Sequence, residues 1–167
     1  MKVDANTKGI PPDRTDDGAL LSRALRSVRR LRGMSSRETA DAMNMQLRTY
    51  QRFEAGHARP NLDHIHRFAR ATRSDPHAIL LAVAIGAPEF AARAADNHLA
   101  TILVVGLQSF DRTQGDGISE LDPRTVISAV TGLFDRLSAA GAAQAEARDW
   151  IRSGARSLAD ARPRPGR

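Results

Sequence analysis

Residues 34–56, MSSRETADAMNMQLRTYQRFEAG, constrain this chain more than any other stretch, because helix start and stop signals crowd into it. Ser35-Ser-Arg-Glu38 has the form of a capping box. The Ser35 hydroxyl can accept the backbone N–H three residues on, while Glu38 reaches back to the cap. Asn44 is one of the few non-glycine residues that tolerates the left-handed conformation of a tight turn. Gly56 then supplies a stop. Two short helices joined by a tight turn are predicted. The first has Thr39, Ala40 and Met43 inward, and the second runs over about residues 46–55.

The flanking pattern extends this to a bundle. Leu21, Leu25 and Val28 fall at helical spacing, which predicts a first helix over about 19–32, ended by Gly33. Asn61-Leu-Asp63 opens a fourth, with Leu62, Ile65, Phe68 and Ala69 as its apolar stripe. Ser74-Asp75-Pro76 opens a fifth, carrying Ile79, Leu80 and Val83, with proline at its first position. Residues 1–17 and 161–167 are polar and proline-containing and are expected to be a disordered arm and tail.

Gly86-Ala-Pro88 is the expected domain boundary, so a chain ending near residue 87 is expected to fold alone. Beyond it, residues 88–111 read as one long helix. The β-branched run Ile102-Leu-Val-Val-Gly-Leu107 leaves a strand as the alternative. A loop over 113–121 follows. Asp122-Pro123 caps a further helix, in which Val126, Ile127, Val130, Leu133, Phe134 and Leu137 keep amphipathic spacing. Gly141 is expected to interrupt it. A last helix over about 142–159 carries Ala147, Trp150, Ile151, Gly154 and Leu158 on one side.

Composition agrees with an all-α fold. Aromatics are 4%, so Ala, Leu, Val and Ile must fill the core. The absence of cysteine excludes disulfides and thiolate metal sites. No secretory signal opens the sequence and no apolar run reaches a bilayer span, so a cytoplasmic protein with no membrane partner is expected. Net charge is +6, and residues 1–87 hold all of it, with 15 Lys/Arg against 9 Asp/Glu; residues 88–167 hold 10 of each. Such local excess fits a polyanion partner, and equally a solvated arginine-rich surface.

The pattern Met34-Ser35, Ala40, Met43-Asn44-Met45, Thr49-Tyr50, Arg52-Phe53-Glu54, Gly56 and Pro60 resembles the XRE, or lambda-repressor-like, helix-turn-helix family over about residues 19–84. Two positions depart from it. Asn44 stands where the family has Gly, and Ser36 where many members carry a DNA-contacting Gln. The resemblance implies a five-helix DNA-binding domain over 18–86 that binds double-stranded DNA. It implies that Tyr50 and Phe53 point inward, and that Arg29 and Glu54 form a buried pair tying helix 1 to helix 3. A surface salt bridge is the plainer alternative for that pair.

The residues of helix 3 carry the physical case. A helix of about ten residues fits the major groove. Gln46, Leu47, Arg48, Gln51 and Arg52 are the expected base readers: Arg can clamp guanine, Gln can pair with adenine, and Leu can meet a thymine methyl. Ser35, Ser36 and Arg37 at the start of helix 2, with His57, Arg59 and Asn61 after helix 3, are the expected phosphate contacts. Simple solvent exposure is the alternative for each.

The second half is expected to dimerise through Leu99, Ile102, Leu103, Leu107, Phe110, Val130, Phe134 and Trp150. A C2 dimer would read two half-sites about 34 Å apart. A monomeric second core is the alternative. No cofactor, metal site or catalytic residue is expected; His64 and His66, two apart on a helix, do not share a face. The sequence thus reads as a nucleoid-associated regulator acting as a homodimer on a palindromic operator, open to contact with another regulator or RNA polymerase. A protein-binding adaptor and an antitoxin are the rivals.

Overall fold

The computed structural model describes residues 14–57 and 61–160 and is all-helical, with no strand among the described residues. The order is α1 (Arg14–Leu31), α2 (Ser36–Ala42), α3 (Leu47–Glu54), α4 (Leu62–Thr72), α5 (Pro76–Ala84), α6 (Phe90–Arg93), α7 (Leu99–Gln114), a 3-10 turn (Gly115–Glu120) and α8 (Pro123–Asp160). The chain divides into two compact units after Thr113.

In the first unit, five successive helices end the same way. A residue with positive φ follows each: Gly33, Asn44, Gly56, Arg73 and Gly86. The next N–H then reaches back five residues, as Met34 does to Arg29, Met45 to Ala40, His57 to Arg52, Ser74 to Ala69 and Ala87 to Ala82. This Schellman closure satisfies carbonyls that the helix leaves unpaired and turns the chain sharply. Side-chain caps open α2, α4 and α5: Ser35 accepts from Glu38 N–H, Asn61 from Asp63 N–H, and Asp75 from the N–H groups of His77 and Ala78.

The turns bring apolar faces onto α1. Leu21, Leu25 and Val28 meet Ala40 and Met43 from α2, Tyr50 and Phe53 from α3, Ile65 and Phe68 from α4, and Ile79 and Ala82 from α5. Leu62, expected in the stripe of α4, is 59% exposed. It sits in the first turn of α4, beyond the buried row of Ile65, Phe68 and Ala69.

Several expectations are corrected. Helix α1 begins at Arg14, inside the segment read as an arm; residues 1–13 and 161–167 lie outside the described residues. Residues 88–111 are not one helix. Chain direction changes between α6 and α7, where His98 has φ 54° and the Asn97 side chain accepts the Leu99 N–H at 3.0 Å. Contacts from elsewhere in the fold make this break. Asp75 N–H donates to the Ala95 carbonyl at 3.2 Å, and Arg32 pairs with Asp96 at 2.5 Å. The run from Ile102 to Leu107 is helical rather than a strand, and the expected loop after Thr113 is the end of α7 and a 3-10 turn. Gly141 does not interrupt α8, whose other residues hold the helix through it.

The first unit also runs past the expected boundary at Gly86. Phe90 and Ala91 of α6 join the main core, and Ala94, Ala100 and Leu99 pack with Ala78 and Leu81. Asp75, fully buried, joins the two parts. Its Oδ1 caps α5 and accepts the Thr101 hydroxyl at 2.7 Å, and its Oδ2 accepts the Thr101 N–H at 2.9 Å. Burial pushes the Asp75 carboxyl up, but the hydrogen bonds from Thr101, His77 and Ala78 outweigh it and hold it below its ordinary value.

Two outcomes are expected. A chain ending at Ala87 loses part of its core and the Thr101 partners of a buried carboxylate, so its urea midpoint falls well below that of a chain ending at Gln114. Equal midpoints would restore the boundary at Gly86. The contribution of Asp75 is present above the unfolded carboxylate value, about 3.9, and disappears as pH falls through its lower folded value. Asp75→Asn is expected to flatten the loss of stability on acidification below about pH 4 and to cost roughly 2 kcal/mol at neutral pH. Superposable acid-unfolding curves for the two proteins would refute this.

Candidate nucleic-acid interface

Helix α3 is divided cleanly by its buried face. Tyr50 is 0% and Phe53 4% exposed, and their rings lie edge to face 6.4 Å apart. Phe53 meets Phe68 and His64 in the same manner. Gln46, Arg48, Thr49, Gln51 and Arg52 are exposed. Leu47 is only half-exposed and packs against the core, so part of its side chain is turned away from any ligand. Thr49 was not among the expected readers, although it lies on the exposed face between Arg48 and Tyr50.

Glu54, the one carboxylate on α3, is withdrawn from that face. Arg29 Nε donates to its Oε1 at 2.6 Å and Arg29 Nη2 to its Oε2 at 3.3 Å. The Tyr50 hydroxyl donates to Oε1 at 2.7 Å, and Arg26 lies 4.0 Å from Oε2. The side chains of Arg29 and Glu54 are 16% and 8% exposed, so this is a largely buried pair. Its hydrogen bond to Glu54 raises the Arg29 pKa against the opposing effect of burial. Burial pushes the Tyr50 phenol upward, and its bond to Glu54 adds to the rise. Arg29 also donates to the Met34 carbonyl at 2.9 Å. One guanidinium therefore joins α1, the approach to α2, and α3.

The turn between α2 and α3 is held from the other side. Arg67 of α4 donates to the carbonyls of Met43 and Asn44, capping the end of α2. At the far end of α3, Gly56 meets Gly18 of α1 backbone to backbone. A Cβ on Gly18 would stand 2.6 Å from the Gly56 carbonyl oxygen, closer than any side chain is tolerated. Gly18 gave no sequence signal, because the need for glycine comes from a segment 38 positions away in the chain.

The expected phosphate contacts differ in their availability. In the capping box, Glu38 N–H donates to the Ser35 hydroxyl at 3.2 Å and Ser35 N–H to the Glu38 carboxylate at 2.7 Å. Donation from Ser35, its backbone N–H first, lowers the Glu38 pKa, and the cap takes up the Ser35 N–H and one hydroxyl lone pair. Ser36 and Arg37 occupy the first two positions of α2, whose N–H groups have no partner within the helix; Arg37 is exposed and Ser36 half-exposed. His57 is exposed. The Asn61 side-chain oxygen accepts the Asp63 N–H at 2.9 Å, leaving its amide N–H₂ outward. Arg59 lies outside the described residues.

His64 packs on Phe53, while His66 meets His77 at 6.0 Å, so the two histidines face different neighbours. No group of three or more His, Cys, Asp or Glu among the described residues is placed to hold a metal ion. Of the side chains expected in a dimer contact, Leu99 instead packs with Ala78, Ala94 and Ala100, and Leu103 is half-buried. Ile102, Leu107, Phe110, Val130, Phe134 and Trp150 are exposed.

A capped short helix, a left-handed Asn turn and a second helix with an outward polar face define a helix-turn-helix domain. Residues 25–79 match the helix-turn-helix family model, so this part of the chain is a domain of the XRE, lambda-repressor-like family of DNA-binding regulators. No curated protein and no solved structure matches the chain. No helix among the described residues is long and apolar enough to cross a membrane.

Breaking the buried pair from either side leaves the other charge without its partner. Glu54→Ala and Arg29→Ala are each expected to cost roughly 3 kcal/mol in urea unfolding, and the double variant less than the sum of the two. Additive losses would mean that the pair is not coupled.

Proposed function

We propose that this chain is a sequence-specific transcriptional regulator that places α3 in the major groove of a palindromic operator and acts as a homodimer. The observation that carries the proposal is the allocation of charge on α3. Its only carboxylate is buried against Arg29, while Arg48, Arg52, Gln46 and Gln51 face outward. An exposed face of cations and amides with no anion suits a polyanion whose base edges present acceptors and donors. Arg37 and the first N–H groups of α2, with His57, Arg59 and Asn61, are the proposed phosphate contacts that fix register. Leu47 meets DNA, on this proposal, with the part of its side chain that stays outside the core. No step of this function needs a cofactor or a catalytic group, and its place is the nucleoid.

The homodimer is supported by Ile102, Leu107 and Phe110 on α7 and by Val130, Phe134 and Trp150 on α8, all exposed in the single chain. An adaptor or antitoxin would use such a surface for another protein, and a bound regulator could use it for RNA polymerase. The outward polar set on α3 favours the DNA reader, since a protein-recruiting module has no need of it.

Genome-wide mapping of bound sites supplies the operator, and footprinting of variants tests the contacts. Arg48→Ala is expected to lose its preference at one operator position by roughly 1–3 kcal/mol. Arg37→Ala is expected to weaken all sequences alike and reduce the salt slope by about one. Unchanged binding by both variants at low salt would refute the proposal.

A further inference from the structure

Helix α8 runs unbroken for 38 residues. Along it, Val126, Val130, Leu133, Leu137, Ala140, Gln144, Ala147 and Ile151 recur at alternating steps of four and three. A strict average of 3.5 residues is the period of a left-handed supercoil, in which two helices share one seam. The charged residues respect it. Arg124, Asp135, Glu146, Asp149 and Arg152 lie away from the seam, Asp149 and Arg152 paired at 3.2 Å, and only Arg136 and Arg148 flank it. Seam residues stand in solvent, with Val126 42%, Val130 45%, Leu137 43% and Ile151 61% exposed. Within its own compact unit, α8 is preceded only by the short 3-10 turn, so among the described residues that unit holds no second helix to cover the seam.

We infer that the seam is covered by α8 of a second copy, parallel and in register, so that each residue from Val126 to Ile151 meets its own counterpart. This rests on the homodimer reading and specifies it. An identical helix is the partner whose apolar period, length and interruption match over the whole seam, about 38 Å at 1.5 Å per residue. The interruption decides the orientation. Gln144 is the one polar residue in the seam, with Ala140 and Ala147 on either side. In register and parallel, the Gln144 amides of the two copies face each other and can pair, carbonyl to N–H₂. In an antiparallel arrangement each residue of one edge of the seam faces the other edge, so Gln144 is set against Val126, Leu133, Ala140 or Ala147 with its polar atoms unpaired. The parallel arrangement brings both α8 N-termini together, the end of each helix that leads back along the chain to α3.

The natural absence of cysteine makes the test direct. Leu137→Cys and Gln144→Cys place single thiols in the seam, and Asp135→Cys places one on the outer face. A parallel, in-register seam brings like positions within the Cα separation of roughly 4.4–6.8 Å that a disulfide needs. The full-length chain is expected to sediment as a dimer. Under mild oxidation both seam variants are expected to run almost wholly as linked dimers on a non-reducing gel, and Asp135→Cys as monomer. A dimer by sedimentation whose seam variants link no better than Asp135→Cys would overturn the register and leave the homodimer standing. A monomer by sedimentation would overturn both, while footprinting by α3 would be unaffected.

Discussion

The Arg29 guanidinium is the point on which the outward polar face of α3 depends. It binds Glu54 through two nitrogens and the Met34 carbonyl through a third. The same carboxylate accepts the Tyr50 hydroxyl. This arrangement fixes the roll of α3 about its own axis. Tyr50 and Glu54 lie one turn apart on one face, so holding both inward sends Arg48, Gln51 and Arg52 outward. It also places the start of α2, through Met34, in register with α3. A charge this sequestered needs full pairing, because an unpaired buried ion costs several kcal/mol. Among the described residues no buried side-chain polar atom lacks a partner, which is the condition under which such a network can be kept.

Much of the first unit was legible because its helix ends are local. Gly33, Asn44, Gly56 and Gly86 each announce a left-handed stop by residue type alone. Arg73 takes the same conformation with no such signal. The reason lies elsewhere in the fold. Arg32 donates to the carbonyls of Thr72 and Arg73, at 2.7 and 2.8 Å, and pins the turn against α1. The break between α6 and α7 was illegible for a related reason. Residues 91–95 are mostly alanine, which favours continuous helix; Asp75 and Arg32 hold the turn there from 20 and 64 positions away, and only the Asn97 contact is local. Where a stop is encoded in one residue, sequence finds it; where a partner 20 or more positions away makes it, sequence does not.

Asp75 explains why the apparent boundary at Gly86 was misplaced. Its side chain was visible as a helix cap, since Asp before Pro is a start signal. A cap has a second oxygen, and this one is spent on the start of α7 through Thr101. Two helix N-termini thus converge on one carboxylate, and the positive ends of both dipoles favour its charge. The compact unit consequently extends through α7 to Thr113, although the residues that match the helix-turn-helix family stop at 79. On the α3 face, the outward set was legible from the turn and the stop. The partial withdrawal of Leu47 and the exposure of Thr49 were not, because both depend on the roll that Arg29 sets.

Net charge turns out to be a coarse guide to where DNA would bind. The positive excess lies wholly in residues 1–87, yet several of its arginines are engaged with carboxylates and carbonyls of the protein. Arg29 neutralises Glu54, Arg32 holds Asp96 and two carbonyls, and Arg67 caps α2. Arg23 pairs with Glu89 on the surface. A guanidinium with five fixed donors suits this work better than an ammonium. Cations so engaged hold carbonyls and carboxylates in place of counterions, so they add little to the salt dependence of DNA binding. On the proposed function, the electrostatic contact with DNA falls to cations that face outward beside α3, above all Arg37, Arg48 and Arg52. Pairing separates the two uses of one residue type: Arg29 positions α3 through Glu54, while Arg37, Arg48 and Arg52 stand outward and are the ones the proposed DNA contact draws on.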